Sequence, residues 1–216
     1  MQTLNKPIKL IKLSKGLNIK DFICTFLIYV PFMEFKHRIA KLDDIPRIEG
    51  LMHQSITKLL GYYVDEEELE ASFESMGLDD QLIKDKTYFL IFHGEILVGC
   101  GGWSNRKTLF GGNHTPNRSD DFLDPNNDAA KISAMYTNPD WARQGVGTLI
   151  LKLAEKEASN SGFKKCELMA TLSGIHLYKE RGYKIDEETI YESKKGNTVK
   201  MFKMTKLLKT KTQLNG

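Results

Sequence analysis

The sequence has few cysteines, little net charge and no apolar run long enough to cross a bilayer. Its three cysteines, Cys24, Cys100 and Cys166, are too few and too scattered for a disulfide framework or a zinc site. The net charge of +3 is too small to predict nucleic-acid binding. The apolar run over 22–32 is too short for a transmembrane helix. We therefore expect a cytoplasmic protein with no metal, no nucleic-acid partner and no membrane span.

The residues that are present fit one ordinary domain. With 216 residues, 41% of them hydrophobic and 27% charged, the chain is long enough for a single core. We predict one domain over 33–208, an N-terminal extension over 1–32 and a lysine-containing tail over 209–216. Met33 immediately precedes the first predicted strand, so we expect translation to begin there in the natural protein. Attachment of 1–32 to a membrane surface is the alternative.

The first half of the domain shows ordinary strand and helix signals. A first strand is predicted over 36–41, and Asp43 or Asp44 then caps a helix that has a proline in its first turn. Two apolar runs over 87–93 and 96–103, joined across Gly-Glu, predict a β-hairpin.

The segment over 138–149, NPDWARQGVGTL, connects a predicted strand to an amphipathic helix. Apolar residues recur every three or four positions after it, so the helix is predicted to begin near Gln144 or Gly145. The first amides of such a helix have no partner inside the helix and lie at the positive end of its dipole, which favours a phosphate. Glycines at 145 and 147 allow a bulky ligand to approach the backbone closely.

Two common phosphate-binding patterns are absent at this turn. A dinucleotide fold requires GxGxxG and an acidic residue about 20 positions later, but Ile150 occupies the third glycine position and no aspartate follows at that distance. The mononucleotide pattern GxxxxGK[ST] is also absent. The turn therefore predicts a site for another phosphorylated ligand, with an ordinary tight turn as the alternative.

Two segments together carry a family resemblance. The first is WARQGVG over 141–147, and the second is LYKERGY over 177–183, which follows a predicted strand over 164–170 and lies in a short helix predicted over 171–182. With them, the chain resembles the GNAT superfamily, the Gcn5-related N-acetyltransferases. The family's [QR]xxGx[GA] motif binds the pyrophosphate of acetyl-CoA, and its LYxxxGF-like helix carries a tyrosine. The resemblance covers roughly 36–208.

The resemblance implies a fold and a cofactor site. The implied fold is α/β (α+β), the GNAT fold: a mixed, mostly antiparallel sheet of six to seven strands with splayed central strands and about four helices. The strand edge at 134–136 would lie beside the pantetheine arm, and the backbone amides of 143–148 would bind the pyrophosphate. The residues implied to contact acetyl-CoA are Ala134, Met135, Tyr136, Arg143, Gln144, Gly145, Val146, Gly147, Thr148 and Thr171.

The chain departs from the family pattern at two positions. Ala142 stands where the motif usually has Gln or Arg, and Thr171 stands where the family often has Asn. Backbone amides make most of the phosphate contacts, which an alanine retains, and a threonine still donates one hydrogen bond. These departures weaken predictions about side-chain contacts to CoA but not the prediction of the site.

The chemistry implied by the resemblance needs a proton donor and a proton acceptor. A primary amine with a pKa of about 10.4 must lose a proton before it attacks the thioester, so a base or a water chain is required. Tyr178 matches the family's general acid, which would protonate the departing thiolate. A backbone N–H near Met135 or Tyr136 would polarise the carbonyl. The alternative for Tyr178 is a core position beside Leu177 and Ile175.

Neither the base nor the acceptor is defined by the sequence. Candidates for the base are Asp128, Asp140, Glu167 and His176, and each is equally compatible with a solvated or structural role. The acceptor is predicted only as a small-molecule or peptidic amine. The alternative function is a non-catalytic acyl-CoA-binding or sensing module, and a homodimer remains as open as a monomer.

Two segments are candidates to shape the acceptor site. Tyr62, Tyr63 and the glutamates over 66–68 lie at the start of an acidic helix whose family counterpart borders that site. An exposed acidic helix start, favoured by the helix dipole, is the alternative. The Gly- and Asn-rich stretch over 104–127 is longer than an ordinary connection, which predicts a lid or a disordered segment. Its candidate pocket residues are Arg106, Lys107, Phe110 and His114.

Overall fold

A computed structural model describes residues 34–108, 111–113 and 121–208. The predictions for 1–32 and 209–216 lie outside these residues. The seven strands are β1 Lys36–Ile39, β2 Tyr88–His93, β3 Ile96–Ser104, β4 Ala130–Thr137, β5 Lys165–Ala170, β6 Lys184–Glu192 and β7 Thr198–Leu207. The five α-helices are α1 Ile45–Ser55, α2 Glu66–Ser75, α3 Asp80–Lys84, α4 Val146–Asn160 and α5 Ile175–Glu180.

The strands form one sheet in the order β1-β2-β3-β4-β5-β7-β6. All neighbouring strands are antiparallel except β4 and β5, which are parallel. The single parallel pair occurs where α4 connects β4 to β5, because a parallel neighbour requires a crossover connection. The sheet matches the mixed, mostly antiparallel architecture expected from the sequence.

Helices cover both faces of the sheet, and a separate apolar core lies on each face. One core packs α4 and α5 against the sheet and includes Ile150, Ala154 and Leu168. The other packs α1 and α3 against the opposite face and includes Ile48, Leu82 and Tyr88. Helix α2 packs against β7 and β6. Because helices cover both faces, the central strands are apolar on both faces.

Local sequence signals explain where the first helices begin. Asp44 precedes α1, which has a proline in its first turn. Asp65 and Glu68 form a capping box at the start of α2, in which each side chain accepts from the other residue's backbone amide. The start of α2 agrees with the prediction. Asp44 stands at the predicted N-cap of α1, but its side chain does not cap the helix, because it binds Arg38 and the Lys41 amide instead.

Three elements differ from the sequence-based expectations. Helix α4 begins at Val146, one or two residues later than predicted, because Gly145 has a left-handed φ of 92° and stands as the N-cap. Helix α5 is confined to Ile175–Glu180 rather than 171–182, since a turn precedes it. The five-residue helix α3 was not anticipated, because its pattern is too short to show a helical period.

No helix in the described part of the chain is long and apolar enough to cross a bilayer. Within the same residues, no cluster of three or more His, Cys, Asp or Glu side chains has the arrangement needed to hold a metal ion.

Candidate active site

Strands β4 and β5 separate soon after they pair. Their register includes only two residue pairs, Ala130 with Cys166 and Lys131 with Glu167. Beyond that point β5 continues to pair with β7 as far as Ala170. The remainder of β4 therefore has β3 as a neighbour on one side only, and a wedge-shaped opening separates it from β5. Such an opening leaves backbone groups of β4 available to a ligand.

A β-bulge lies on β4 beside this opening. Gly102 pairs with Ser133 and Cys100 pairs with Tyr136, so the single residue between them on β3 faces two residues on β4. One of those two, Ala134, has a left-handed φ of 51°, which is unusual for a residue with a side chain.

The bulge is supported from two sides. The buried Tyr88 hydroxyl donates to the Ala134 carbonyl at 2.7 Å. On the other side, a Cβ at Gly101 would lie 2.8 Å from the Met135 Cγ and 3.0 Å from its Cα. Glycine at 101 is thus required for β3 to approach the bulged residues so closely. Both supports are distant in sequence from the residues that they hold.

The turn between β4 and α4 ends in a helix start without a side-chain cap. The Asn138 side chain accepts from the Asp140 amide at 3.0 Å and begins the turn. Arg143 has a φ of 62° and Gly145 a φ of 92°, so two left-handed residues precede the helix. No side chain caps α4, and its first internal bond runs from the Leu149 amide to the Gly145 carbonyl at 3.0 Å.

The amides of 146–148 therefore have no partner inside α4. Arg143, Gln144 and Gly145 are exposed, while Gly147 and Thr148 are half-buried. This is the arrangement that binds a phosphate at a helix N-terminus. A Cβ at Gly147 would lie 2.9 Å from the Leu177 Cδ2, so the start of α4 packs closely on α5. The turn before α4 and the helix that carries Tyr178 are thus in close contact.

A cavity of about 80 Å³ lies in the opening between β4 and β5. Its lining comes from the end of α2, the loop after β3, strands β4, β5 and β7, and α5. The lining residues are Ser75, Met76, Gly77, Gly111, Ile132, Ser133, Ala134, Met135, Tyr136, Met169, Thr171, Tyr178 and Met201.

The cavity brings together five residues that the sequence singled out. They are the three residues of the bulge, 134–136, together with Thr171 and Tyr178. The residues of the 143–148 turn do not line it and lie at the start of α4. The predicted site residues thus form two groups, one in the cavity and one at the helix start.

Tyr178 is buried and lines the cavity. The hydroxyl donates to the Met135 thioether sulfur at 3.7 Å, and burial raises the pKa of the phenol to about 12. The ring packs edge to face on Tyr183 at 5.9 Å. A Cβ at Gly174 would lie 2.8 Å from the Tyr178 ring, so the turn before α5 leaves room for it.

None of the four candidate bases lines the cavity. Glu167 is buried in an ion pair with Lys131 and lies 3.6 Å from the Lys203 ammonium. His176 is exposed and lies 3.1 Å from Glu180. These contacts are structural or solvent-facing.

The remaining two candidate bases belong to turns. Asp128 accepts from the Asp124 amide at 2.8 Å. Asp140 is exposed, and its backbone carbonyl accepts from the Gln144 side chain at 3.1 Å. The Asp128 carboxylate is thus engaged within its own turn, and Asp140 lies at the surface.

The start of α2 does not line the cavity. Tyr62 is 85% exposed and packs only edge to face on Tyr63, and Glu68 serves in the capping box. The opposite end of this helix reaches the cavity, through Ser75 and Met76. The Tyr136 hydroxyl donates to the Gly77 carbonyl at 3.4 Å and ties this end to β4.

Arg106 and Lys107 bind within the 104–127 segment and its neighbour α3. The Arg106 guanidinium pairs with Asp85 at 2.6 Å, and Lys107 pairs with Asp121 at 3.1 Å. Of the described residues in this segment, only Gly111 lines the cavity. Phe110 and His114 lie outside the described residues.

Sequence reasoning did not name eight of the thirteen lining residues as site residues, and four of the eight are apolar side chains from separate elements. Met76, Met169 and Met201, and also Ile132, have no local motif that would mark them. The resemblance of β4 to a family strand predicted the site residues over 134–136. It carried no information on side chains that reach the cavity from α2 and β7.

Comparison with known proteins gives the family. The model of the acetyltransferase (GNAT) family matches residues 52–183, more than half of the chain. No curated protein sequence matches significantly. A Gcn5-related N-acetyltransferase from Rhodopseudomonas palustris has a TM-score of 0.59 and 19% identity, covering 80% of this chain and 95% of that one.

Two further solved structures contain coenzyme A or acetyl-CoA. The PaiA N-acetyltransferase from Thermoplasma acidophilum, in complex with coenzyme A, has a TM-score of 0.53 and 16% identity over 81% of this chain and 99% of that one. YncA, a putative acetyltransferase from Salmonella typhimurium with its cofactor acetyl-CoA, has a TM-score of 0.54 and 14% identity over 81% and 94%. These similarities confirm the expected fold. With the family model matched across the strand, turn and helix of the site, the chain belongs to the GNAT acetyltransferase family.

Proposed function

We propose that this protein is an N-acetyltransferase that moves an acetyl group from acetyl-CoA to a primary amine by direct attack in a ternary complex. The observation that carries the proposal is the position of Tyr178, which lines a cavity beside the β4 bulge and whose hydroxyl contacts Met135 of that bulge. A thioester in this opening would place its sulfur near a phenol and its carbonyl near the backbone of the β4 bulge.

One molecule of acetyl-CoA is proposed to span both groups of site residues. Its pyrophosphate would lie at the amides of 143–148, where the uncapped start of α4 favours an anion. The pantetheine arm would follow the edge of β4 at 134–136 into the cavity. Thr171 would offer one hydrogen bond beside the arm, although its hydroxyl lies 3.1 Å from that of Ser173.

The bulge supplies the amide that would polarise the thioester carbonyl. The Tyr136 amide lies against the Cys100 sulfur, on the β3 side, so it is the weaker of the two candidates. We therefore assign this role to the Met135 amide. An amide fixed before the reaction stabilises the developing oxyanion without reorganising during it.

The proposed reaction conserves protons. The neutral amine attacks the carbonyl carbon, the C–S bond breaks, and the departing sulfur takes the phenolic proton of Tyr178. The new amide nitrogen loses its extra proton to water, and the phenolate regains one. Because burial raises the phenol's pKa to about 12, Tyr178 holds its proton throughout the neutral range.

Water is proposed to accept the proton that the incoming ammonium loses. Among the described residues that line the cavity there is no carboxylate and no imidazole. The hydroxyls of Ser75 and Ser133 line it instead, and they are suited to hydrogen-bond a water chain.

The test is to measure CoA release with acetyl-CoA and a broad panel of amines, together with acetyl-CoA binding by calorimetry. We expect binding, and release that depends on the amine. Binding without release for any amine would support the non-catalytic sensing module instead. The absence of binding would contradict both.

A further inference from the structure

The cavity is rich in methionine. Four side chains from four separate elements meet there, namely Met76, Met135, Met169 and Met201. Methionine is unbranched and polarisable, so it adapts its shape to an apolar ligand. The aromatic side chains of Tyr136 and Tyr178 complete this surface.

The charged side chains on the Met169 face of the sheet balance one another. Met169 pairs directly with Lys203 across β5 and β7, so both side chains lie on the same face of the sheet. Two residues earlier on β5, Glu167 binds both Lys131 and Lys203. On the other side of Lys203, Glu187 of β6 pairs with it directly, so two carboxylates face two ammonium groups and leave no net formal charge beside the methionines.

The acidic residues of α2 are engaged elsewhere. Glu74 accepts from the Lys194 amide at 2.9 Å, and Glu70 pairs with Lys195 and with the Asn197 side chain. These contacts join α2 to the turn between β6 and β7. Glu70 and Glu74 therefore face that turn, while Met76 of the same region faces the cavity.

We propose, on the basis of the proposed function, that the acceptor is a primary amine attached to an uncharged, apolar body. The methionines would cover that body, and the amine would reach the thioester beside Tyr178. A second ammonium on the acceptor would be buried among thioethers without a partner, which is costly. A carboxylate on the acceptor would lose its hydration against the same apolar lining.

The test uses three amines of closely similar size: pentylamine, 1,4-diaminobutane and 5-aminopentanoate. They differ at the far end, where a methyl group is replaced by an ammonium or a carboxylate. We expect kcat/KM for pentylamine to exceed that of each charged amine by at least about tenfold. A tenfold difference corresponds to a cost of about 1.4 kcal/mol for burying the unpaired charge. Equal or better use of either charged amine would overturn the proposal.

A charge placed in the lining should change the preference in a predictable direction. Met76 lies half-buried at the end of α2, where a substitution is tolerated better than in a strand. Met76→Glu should raise the relative use of 1,4-diaminobutane by about tenfold. Met76→Gln is the neutral control, and Leu207→Glu, 77% exposed on β7, adds the same charge away from the cavity. An equal change in Leu207→Glu would contradict the proposal.

A binding measurement separates this proposal from the proposed function. Saturation-transfer NMR with the CoA-loaded protein reports each amine without requiring turnover. Pentylamine should bind and 1,4-diaminobutane should not. If the CoA-loaded protein binds 1,4-diaminobutane as well as it binds pentylamine, the proposed acceptor class is wrong although the acetyltransferase proposal stands. If pentylamine alone binds but no acetyl group moves, the catalytic proposal fails and the acceptor class stands.

Discussion

At the scale of single residues, burial determines what Tyr178 is able to do. A buried phenol resists ionisation, so its pKa rises to about 12 and it remains a proton donor well above neutral pH. The same burial would otherwise indicate an ordinary core residue. What distinguishes Tyr178 is that it lines the cavity, whereas the neighbouring Tyr183 of the same core does not.

Tyr178→Phe removes the proposed acid and keeps the ring. We expect kcat to fall by about 10²-fold with the KM for acetyl-CoA nearly unchanged, because the lost interaction forms only as the thiolate departs. In the parent protein the rate should rise with pH as the amine loses its proton, with no decline due to Tyr178 below about pH 11. Steady-state kinetics across pH give both results. An unchanged kcat would rule out the acid role.

Asp44 contributes to stability through its ion pair with Arg38. Its carboxylate receives two hydrogen bonds from Arg38 at 2.7 Å and one from the Lys41 amide at 2.8 Å. The Arg38 contact, the largest cause, lowers the carboxyl pKa to about 2. The folded-state pKa lies below the unfolded value, so this stabilisation is present above about pH 4 and is lost as the pH falls toward 2.

Asp44→Asn should therefore lower the free energy of unfolding by about 1–2 kcal/mol at pH 7, and by much less at pH 2.5. Urea unfolding at the two pH values measures the difference. Asp43→Asn, in the exposed neighbour, is the control and should change the free energy little. Equal losses at both pH values would show that the pair does not act through its charge.

At the scale of elements, the β4 bulge depends on neighbours that are remote in the sequence. Gly101 allows β3 to pack against the bulged backbone, and Tyr88 on β2 binds the carbonyl of Ala134. The bulge is thus a property of three adjacent strands. Its left-handed residue is retained because this contact and this hydrogen bond hold it in place.

Gly101→Ala tests this dependence. The new Cβ would lie 2.7 Å from the Ile150 Cγ2 and would also press on Met135, so we expect a loss of about 1–3 kcal/mol in the free energy of unfolding. We also expect kcat to fall about tenfold, because the Met135 amide would shift from the thioester. Denaturant unfolding and steady-state kinetics measure the two effects.

Gly50→Ala is the matched control for this substitution. Gly50 is exposed within α1, and its Cβ would meet nothing within 4 Å. Alanine there should stabilise the protein by about 0.5–1 kcal/mol and leave kcat unchanged. A Gly101→Ala variant with normal kcat would show that the bulge is not needed for the reaction.

At the scale of the whole molecule, acetyl-CoA would join elements that the sheet leaves apart. It would lie across β4, α4 and α5 and fill the opening between β4 and β5. A ligand that binds only the folded state stabilises it by mass action. At 100 times its Kd, we expect a gain of about 2.7 kcal/mol, or about 5–10 °C in Tm for a chain of this length.

Gly145→Ala should reduce this ligand-induced rise in Tm. Gly145 has a φ of 92°, so an alanine there strains the turn that would bind the pyrophosphate. Gly94→Ala is the matched control: its φ is 56°, a Cβ there meets nothing within 4 Å, and it lies in the β2–β3 hairpin. Thermal scans should show a lower Tm for both variants without ligand. Only Gly145→Ala should lose the rise with acetyl-CoA, and an equal rise in both would argue against a phosphate site at this turn.

Much of the fold followed from local patterns, and such patterns also predicted part of the candidate site. Glycines at 145 and 147 before an apolar helix predicted the turn that precedes α4, and its binding of a phosphate stays a prediction. Alternating or continuous apolar runs predicted the β2–β3 hairpin and β4. Helix α3 and the exact start of α4 were harder, because short helices have too few residues to show a period and one left-handed residue shifts a boundary.

The sequence by itself determined the parts of this protein whose physics is local: helix caps, the glycine turn and the apolar strands. Together with the two family-like segments, these were enough to identify the fold and to propose acetyl-CoA as the donor. Only the tertiary structure decided which side chains meet in the cavity. Met76, Met169 and Met201 are separated by up to 125 positions and converge because the sheet order places β4, β5 and β7 side by side under α2. Contacts of that kind depend on packing across strands, which no local pattern encodes.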